Sequence, residues 1–177
     1  MLDPLFEAIT YAGSFGAIWL LLALVVAREP WRRPWLPARV GATVLLAEAV
    51  QSTVKLLVGR DRPPLQNVGQ EPLVALPHTP SFPSGHAVVA FAAATVLAAA
   101  VPRLRWPLYL LAVLVAFSRV YVGVHYPGDA VAGAAIGVAL GFGVEAGRRA
   151  LRDWARATAL PRFRAARPRS PREPPPG

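Results

Sequence analysis

Residues 118–129 read SRVYVGVHYPGD, and this polar stretch separates two long apolar runs of the chain. It brings Ser118, Arg119, His125 and Asp129 into one short segment. Arginine is a permanent cation that can hold a phosphate, and histidine can act as a nucleophile or a base near neutral pH. An aspartate four residues further on can hold an imidazole in one tautomer. Because charges between apolar runs are costly and usually functional, the stretch predicts a polar site at the ends of apolar helices.

The composition is typical of a membrane protein. Of the 177 residues, 54% are hydrophobic and 16% are charged, whereas soluble domains have about 25% charged residues. The length favours one domain. The absence of cysteine excludes disulfide bonds and thiolate zinc sites. A net charge of +9 could indicate nucleic-acid binding, so the positions of the charges must decide.

Five apolar stretches are candidates for crossing a bilayer. A crossing takes about 20 residues, and the third and fifth stretches are shorter than that. The first could instead be a cleaved signal peptide, but Asp3 and Glu7 stand where such a peptide has bases, which favours a retained span. The sequence therefore predicts an all-α fold, an integral membrane bundle of about five transmembrane helices, at residues 9–27, 40–58, 87–101, 106–122 and 130–147.

The basic residues are distributed unequally between the two ends of these spans. The loop after the first span, the turn after the third and the segment after the fifth together hold fifteen of the nineteen bases. Trp31, Trp35, Trp106 and Trp154 fall on the same side. Bases and tryptophans mark the cytoplasmic interface. The pattern predicts a multi-pass protein of the cell membrane, with its amino terminus outside and its carboxyl terminus in the cytoplasm.

The same pattern divides the chain into two parts. We expect a membrane-embedded domain at residues 1–147 and a basic, Pro/Arg-rich cytoplasmic tail at residues 148–177, disordered beyond Pro161. The cations of the tail are expected near anionic lipid headgroups, which are a more common partner for such a tail than nucleic acid. One amphipathic turn on the inner leaflet could use Leu151, Trp154 and Leu160.

The second span has a polar face. Glu48 is the only charge deep in a predicted span, and Gln51, Ser52 and Lys55 follow it at helical spacing. A carboxylate at this depth should face the interior of the protein, where it either lines a cavity or pairs with a neighbouring helix. The sequence leaves both possibilities open.

The fifth span is rich in glycine. Glycine at every fourth position leaves one helical face without side chains, which lets another helix approach closely in lipid. The repeat consists of Gly133, Gly137 and Gly141, with a second pair at Gly143 and Gly147.

The predicted topology gathers groups suited to phosphate chemistry at the outer ends of spans two to five. Three cations could neutralise the phosphoryl oxygens, with arginine forming two hydrogen bonds at once: Lys55, Arg62 and Arg119. Ser84 and Gly85 stand where the third span begins, and the free N–H groups there favour an anion. His125 could attack phosphorus, Asp129 could orient it, and His86 could protonate the leaving oxygen.

Three motifs carry a resemblance to a known family. They are KxxxxxxRP at residues 55–63, PSGH at residues 83–86 and SRxxxxxHxxxD at residues 118–129. Together they resemble the signature of the type 2 phosphatidic acid phosphatase superfamily, which includes membrane lipid phosphatases and soluble vanadium haloperoxidases. The resemblance implies a helical bundle and a two-step hydrolysis, without metal or other cofactor, through a phosphohistidine. Membrane members usually have six spans, so one is missing before the first motif.

The predicted function is hydrolysis of a lipid phosphate or diphosphate at the extracytoplasmic face. The leading substrate is an isoprenoid carrier such as undecaprenyl diphosphate, followed by phosphatidic acid or phosphatidylglycerol phosphate. Two alternatives stay open. A phosphotransferase would pass the same phosphoryl group to a hydroxyl of a lipid or sugar, and a non-catalytic anion binder or transporter would not cleave the substrate.

The remaining polar residues near the motifs give no further functional prediction. A His–His–Asp metal site is conceivable, but the surrounding cations would repel a metal ion. His78 belongs to no motif and is expected to be a loop residue. Arg60 and Asp61 lie at variable positions of the first motif and are expected to be solvated.

Overall fold

The computed structural model describes residues 16–28, 33–66 and 72–158, and this part of the chain is helical without strands. One turn of helix, Pro63–Gln66, and one 3-10 turn, Pro102–Leu104, lie between longer elements. The all-α prediction is therefore confirmed. Five long helices make up the described bundle: α1 (Ala17–Ala27), α2 (Leu36–Val58), α3 (Gly85–Ala100), α4 (Arg105–Tyr121) and α5 (Pro127–Thr158).

The helices differ in whether they are long enough to cross a membrane. Within the described residues, α2, α4 with its preceding 3-10 turn, and α5 are sufficiently long and apolar. Helices α1 and α3 are apolar but shorter, with 11 and 16 residues. Residues 9–15 of the first predicted span lie outside the described residues. The structure thus has three candidate membrane spans and two shorter apolar helices where the sequence predicted five spans.

The last helix extends further than the sequence indicated. It continues through Gly147 to Thr158, so residues 148–158 of the predicted tail are helical and exposed. Leu151 and Trp154 lie on this extension with about two thirds of their surface exposed, at 68% and 66%. Leu160 and the segment beyond Pro161 lie outside the described residues. The division into a domain and a tail stays a prediction.

Helix α3 is the centre of the bundle and packs against α2, α4 and α5. Its sequence, GHAVVAFAAATVLAAA, is apolar all round, and most of its residues are buried. A helix that is apolar on every face is stable only when surrounded. The small alanine side chains let the three neighbours approach, so their ends meet around the start of α3.

The glycine repeat explains the closest of these contacts. A Cβ atom on Gly137 would overlap the carbonyl oxygen of Val88 on α3, and one on Gly133 would lie 2.7 Å from the Ser84 oxygen. The predicted close approach is confirmed for this repeat, which ends at Gly141 against Thr95. It is wrong for Gly143 and Gly147 within the described bundle, where a Cβ would meet no atom of another described segment within 4 Å. The first half of α5 is therefore held tightly against α3.

Candidate active site

A cavity of about 330 Å³ lies where α2, α3 and α4 meet the loops before α3 and α5. Six of the eight predicted site residues line it; Asp129 and Ser84 are buried and are not part of its lining. The lining consists of Glu48, Gln51, Lys55, Arg62, Pro77, Thr79, Gly85, His86, Val89, Arg119 and His125.

Helices α2, α3 and α4 each place a charged or titratable side chain in this cavity through a terminal turn. Lys55 is in the last turn of α2, and Arg119 is in the last turn of α4. Both are buried, and the Lys55 ammonium donates a hydrogen bond to the Pro80 carbonyl at 2.7 Å. His86 is in the first turn of α3. The sequence motifs are thus brought together by the ends of the helices, as predicted.

Arg62 fixes the loops over the cavity. Its Nε donates to the Thr79 carbonyl, and one terminal nitrogen donates to the Val124 carbonyl, both at 2.8 Å. The same terminal nitrogen lies 3.2 Å from His125 Nε2. Burial lowers the pKa of the Arg62 guanidinium, and the Asp129 carboxylate opposes that shift. The arginine thus stands beside the histidine as a buried, oriented donor.

These contacts assign the tautomer of His125. Arginine can only donate, so the Nε2 atom facing the cavity accepts, and the proton lies on Nδ1. Nδ1 is 3.6 Å from Asp129 Oδ2 and 3.4 Å from Ser81 Oγ. Burial lowers the pKa of His125 to about 4; the nearby Asp129 carboxylate opposes this shift, and the Arg62 charge adds to it. The imidazole is therefore neutral at pH 7, with its lone pair directed to the cavity.

Asp129 is fully buried and accepts hydrogen bonds from several groups. Arg60 donates to Oδ1 at 2.8 Å, while the Ser81 hydroxyl and the Tyr126 backbone N–H donate to Oδ2. The Arg60 guanidinium also lies over the Tyr126 ring, 4.1 Å from its centroid. Because this carboxylate is held on both oxygens, its position relative to the imidazole is fixed.

Arg60 is exposed, as predicted, with 41% of its side chain accessible. Its ion pair with Asp129, which joins residues 69 positions apart in the chain, was not predicted. Ser81 was missed altogether. The sequence offers no signal for either residue except its position, two residues before Arg62 for Arg60 and two residues before Pro83 for Ser81. Their shared partner, Asp129, is distant in the sequence. Asp61 is also exposed, as expected.

Ser84 and Gly85 stand at the start of α3, as predicted. The Ser84 N–H donates to the Asp129 carbonyl at 3.1 Å, which ties α3 to α5. Its hydroxyl is buried and has no hydrogen-bond partner within the described part of the chain. A Cβ atom on Gly85 would lie 2.8 Å from Gln51 Oε1, so glycine permits the close contact of α3 with α2.

Glu48 lines the cavity, which decides between the two possibilities that the sequence left open. It accepts a hydrogen bond from Gln51 Nε2 at 2.8 Å and forms no ion pair with any described residue. His78 lies in the loop before α3, outside this cavity. Among the residues that the structure describes, no three His, Cys, Asp or Glu side chains cluster as a metal site would require.

The cation-lined cavity with its paired histidine and aspartate, in a bundle with candidate membrane spans, defines a membrane protein that handles phosphate groups. Residues 36–151 match the PAP2 superfamily, and the chain belongs to this superfamily. It is therefore a phosphatase of the PAP2 type, as the resemblance implied.

Curated relatives and solved structures agree with this assignment. The chain is 38% identical, over 76% of its length and 74% of the relative's, to a decaprenylphosphoryl-5-phosphoribose phosphatase of Mycobacterium tuberculosis. It resembles the crystal structure of a PAP2-type phosphatidylglycerolphosphate phosphatase of Bacillus subtilis, with a TM-score of 0.69, 26% identity, and coverage of 92% of this chain and 80% of the other. Aquifex aeolicus LpxE has a TM-score of 0.62 at 29% identity, covering 82% and 86% of the two chains.

Proposed function

We propose that the chain hydrolyses a lipid phosphate or diphosphate through a phosphohistidine on His125 Nε2. One observation carries this proposal: His125 presents an unprotonated nitrogen to a cation-lined cavity while its other nitrogen faces a fixed carboxylate. A neutral, oriented imidazole beside a phosphate-binding donor is suited to attack on phosphorus.

Binding of the phosphoryl group would precede attack. Lys55, Arg62 and Arg119 supply three positive charges around the cavity, and a phosphoryl group in it would exchange its water contacts for theirs. The Arg62 N–H that now points to His125 Nε2 would turn to a phosphoryl oxygen. That change frees the nitrogen lone pair only when substrate is present.

The chemical steps follow from the two histidines. The Nε2–phosphorus bond forms as the bond from phosphorus to the leaving oxygen breaks, and a protonated His86 gives that oxygen its proton. Burial and the neighbouring Arg119 lower the pKa of His86 to about 3, so His86 takes this proton from the bound phosphate monoanion, whose negative charge offsets the cations around it. Asp129 stabilises the positive charge that the modified imidazole gains. A water molecule then attacks phosphorus and gives a proton to His86, the nitrogen–phosphorus bond breaks, and phosphate leaves.

The substrate is proposed to be a membrane lipid whose headgroup enters the cavity and whose apolar chain stays among the helices. An isoprenoid diphosphate, phosphatidic acid and phosphatidylglycerol phosphate share the phosphoryl group that this mechanism requires. A phosphorylated ribose carried on an isoprenoid, the substrate named for the mycobacterial relative, joins them. We further propose that the cavity opens to the extracytoplasmic face and that the basic tail contacts anionic lipids.

Substitution of the nucleophile tests the mechanism. We expect His125→Ala to abolish phosphate release from lipid phosphates by purified protein in micelles, while His78→Ala, a histidine outside the cavity, retains activity. Brief reaction with ³²P-labelled substrate should trap an acid-labile, base-stable label on the wild type but not on His125→Ala. We also expect chelators to leave turnover intact. Turnover by His125→Ala, or loss with EDTA that zinc restores, contradicts the proposal.

A further inference from the structure

The cavity has an anionic end as well as a cationic one. Glu48 and Lys55 both line it from α2, and they lie about two helical turns, or ~10 Å, apart along that helix. The Lys55 ammonium is directed to the Pro80 carbonyl, and Glu48 forms no ion pair among the described residues. A ligand that extends from the cations along α2 therefore meets a carboxylate.

This carboxylate is held in place. Gln51 donates from Nε2 to one Glu48 oxygen at 2.8 Å, and the other oxygen accepts no hydrogen bond from the residues described. Gln51 is itself buried, with 8% of its surface exposed, and packs against Gly85. Its Oε1 atom has no donor partner within the described ranges. Hydrogen-bond acceptors without donors thus mark this end of the cavity.

We propose that Glu48 accepts hydrogen bonds from hydroxyl groups of a sugar or polyol that links the reacting phosphate to the lipid. The inference rests on the proposed function, because the phosphate must occupy the cationic end. The ~10 Å of α2 between Lys55 and Glu48 leaves room for a polar unit between a phosphoryl group at the cations and the Glu48 carboxylate. Leu45 and Leu46, exposed beside Glu48, offer an apolar surface to the lipid chain beyond it.

The same carboxylate disfavours an isoprenoid diphosphate. In such a substrate the group next to the reacting phosphate is a second phosphate, whose negative charge would approach Glu48. Like charges in a partly buried cavity repel, and the repulsion raises the free energy of that complex. The substrate class assigned here is therefore a lipid-linked phosphate monoester of a sugar or polyol, in place of the diphosphate that the sequence favoured.

Three synthetic substrates with one short isoprenoid chain test this assignment: an isoprenyl riboside 5-phosphate, which has no second phosphate, its 2,3-dideoxy analogue and the isoprenyl diphosphate. For the wild type we expect kcat/KM on the ribose compound to exceed that on the dideoxy analogue by roughly tenfold or more, because a charged acceptor would lose its donors. Glu48→Gln should reduce this ratio severalfold and should raise kcat/KM on the diphosphate relative to wild type. A misfolded variant would not gain activity on any substrate.

The control is Asp153→Asn, which removes an exposed carboxylate at the far end of α5 and should leave both ratios unchanged. Equal wild-type rates on the ribose and dideoxy compounds would overturn the assignment, as would a ratio that Glu48→Gln does not change. If the wild type hydrolyses none of the three, or if His125→Ala hydrolyses them, the proposed function itself fails, and the assignment fails with it.

Discussion

Helix α5 carries a buried carboxylate near each end of its apolar segment, and the two have different surroundings. Asp129 accepts hydrogen bonds from Arg60, Ser81 and the Tyr126 backbone and lies beside the His125 imidazole. Among the described residues, Glu145 pairs with two arginines, Arg39 at 3.3 Å and Arg148 at 3.0 Å. Both carboxylates are at most 4% exposed at the side chain.

The difference explains why we assign only one of these two buried charges to the proposed reaction site. The Glu145 partners are guanidinium groups, which stay protonated at any physiological pH, so this cluster can only tie α2 to α5. The Asp129 cluster includes an imidazole that lines a cavity, and imidazole is a group that can change its protonation state. Both carboxylates are buried and ion-paired. They differ in that Asp129 also lies beside an imidazole, whereas the described partners of Glu145 are arginines.

The largest expected effect comes from exchanging each carboxylate for its amide. Asp129→Asn should lower kcat by roughly 10³–10⁴-fold, because the amide would favour the wrong imidazole tautomer and could not stabilise its positive charge. Glu145→Gln should leave kcat within about twofold while lowering the free energy of unfolding by about 1–3 kcal/mol, since one buried arginine contact weakens. Single-turnover phosphate release and thermal unfolding in detergent measure the two quantities. Comparable losses of kcat in both variants would erase the distinction between the ends.

The next effect concerns pH. A histidine must be neutral to attack, and its lowered pKa keeps His125 neutral down to about pH 4. At pH 5, kcat/KM should therefore be roughly thirtyfold higher than a histidine of ordinary pKa would allow, and the acid limb should fall only near pH 4. The profile is measured against a substrate whose own phosphate ionisation has been determined by ³¹P NMR. An acid limb centred at pH 6.5 after that correction contradicts the neutral imidazole.

A smaller effect is expected for the arginines, which offer a matched pair. Arg60 and Arg148 each have 41% of the side chain exposed, and each contacts one of the two carboxylates. Arg60→Gln should lower kcat by about tenfold with little change in KM, because Asp129 would lose its partner for one oxygen, and Arg60→Lys should recover part of the loss. Arg148→Gln should leave kcat unchanged. If Arg60→Gln instead raises KM alone, Arg60 contacts the substrate and does not position Asp129.

Much of this arrangement could be predicted from local pattern. Apolar runs predict helices because a helix pairs its own backbone N–H and C=O groups in hydrogen bonds. Lys55, His86 and Arg119 each lie beside a loop, and the predicted topology places these loops at one end of the bundle. The structure confirms the helices and places six of the eight predicted site residues in the lining of the cavity. The sequence pattern also indicated Glu48, because a charge deep in an apolar run is costly enough to be noticed.

What the sequence missed depends on contacts between distant segments. Arg60 and Ser81 contact Asp129 because the loop between α2 and α3 lies over the start of α5. The periodicity of the sequence contains no information about this long-range packing. Glu145 was overlooked because its partners cannot be read from the apolar pattern of α5. Its charge is neutralised by Arg148 on the same helix and by Arg39 on α2. The end of α5 was misplaced for the same reason, since Arg148 continues the helix as a partner of Glu145.

The glycine repeat has a consequence for how the protein responds to its lipid surroundings. Because Gly133 and Gly137 bring the backbones of α3 and α5 into direct contact, the spacing of the two elements does not depend on flexible side chains. A thinner or thicker bilayer can tilt the outer helices before it separates this pair. We therefore expect turnover to depend only weakly on the acyl-chain length of the bilayer, because the groups at the start of α3 and α5 keep their spacing when the outer helices tilt.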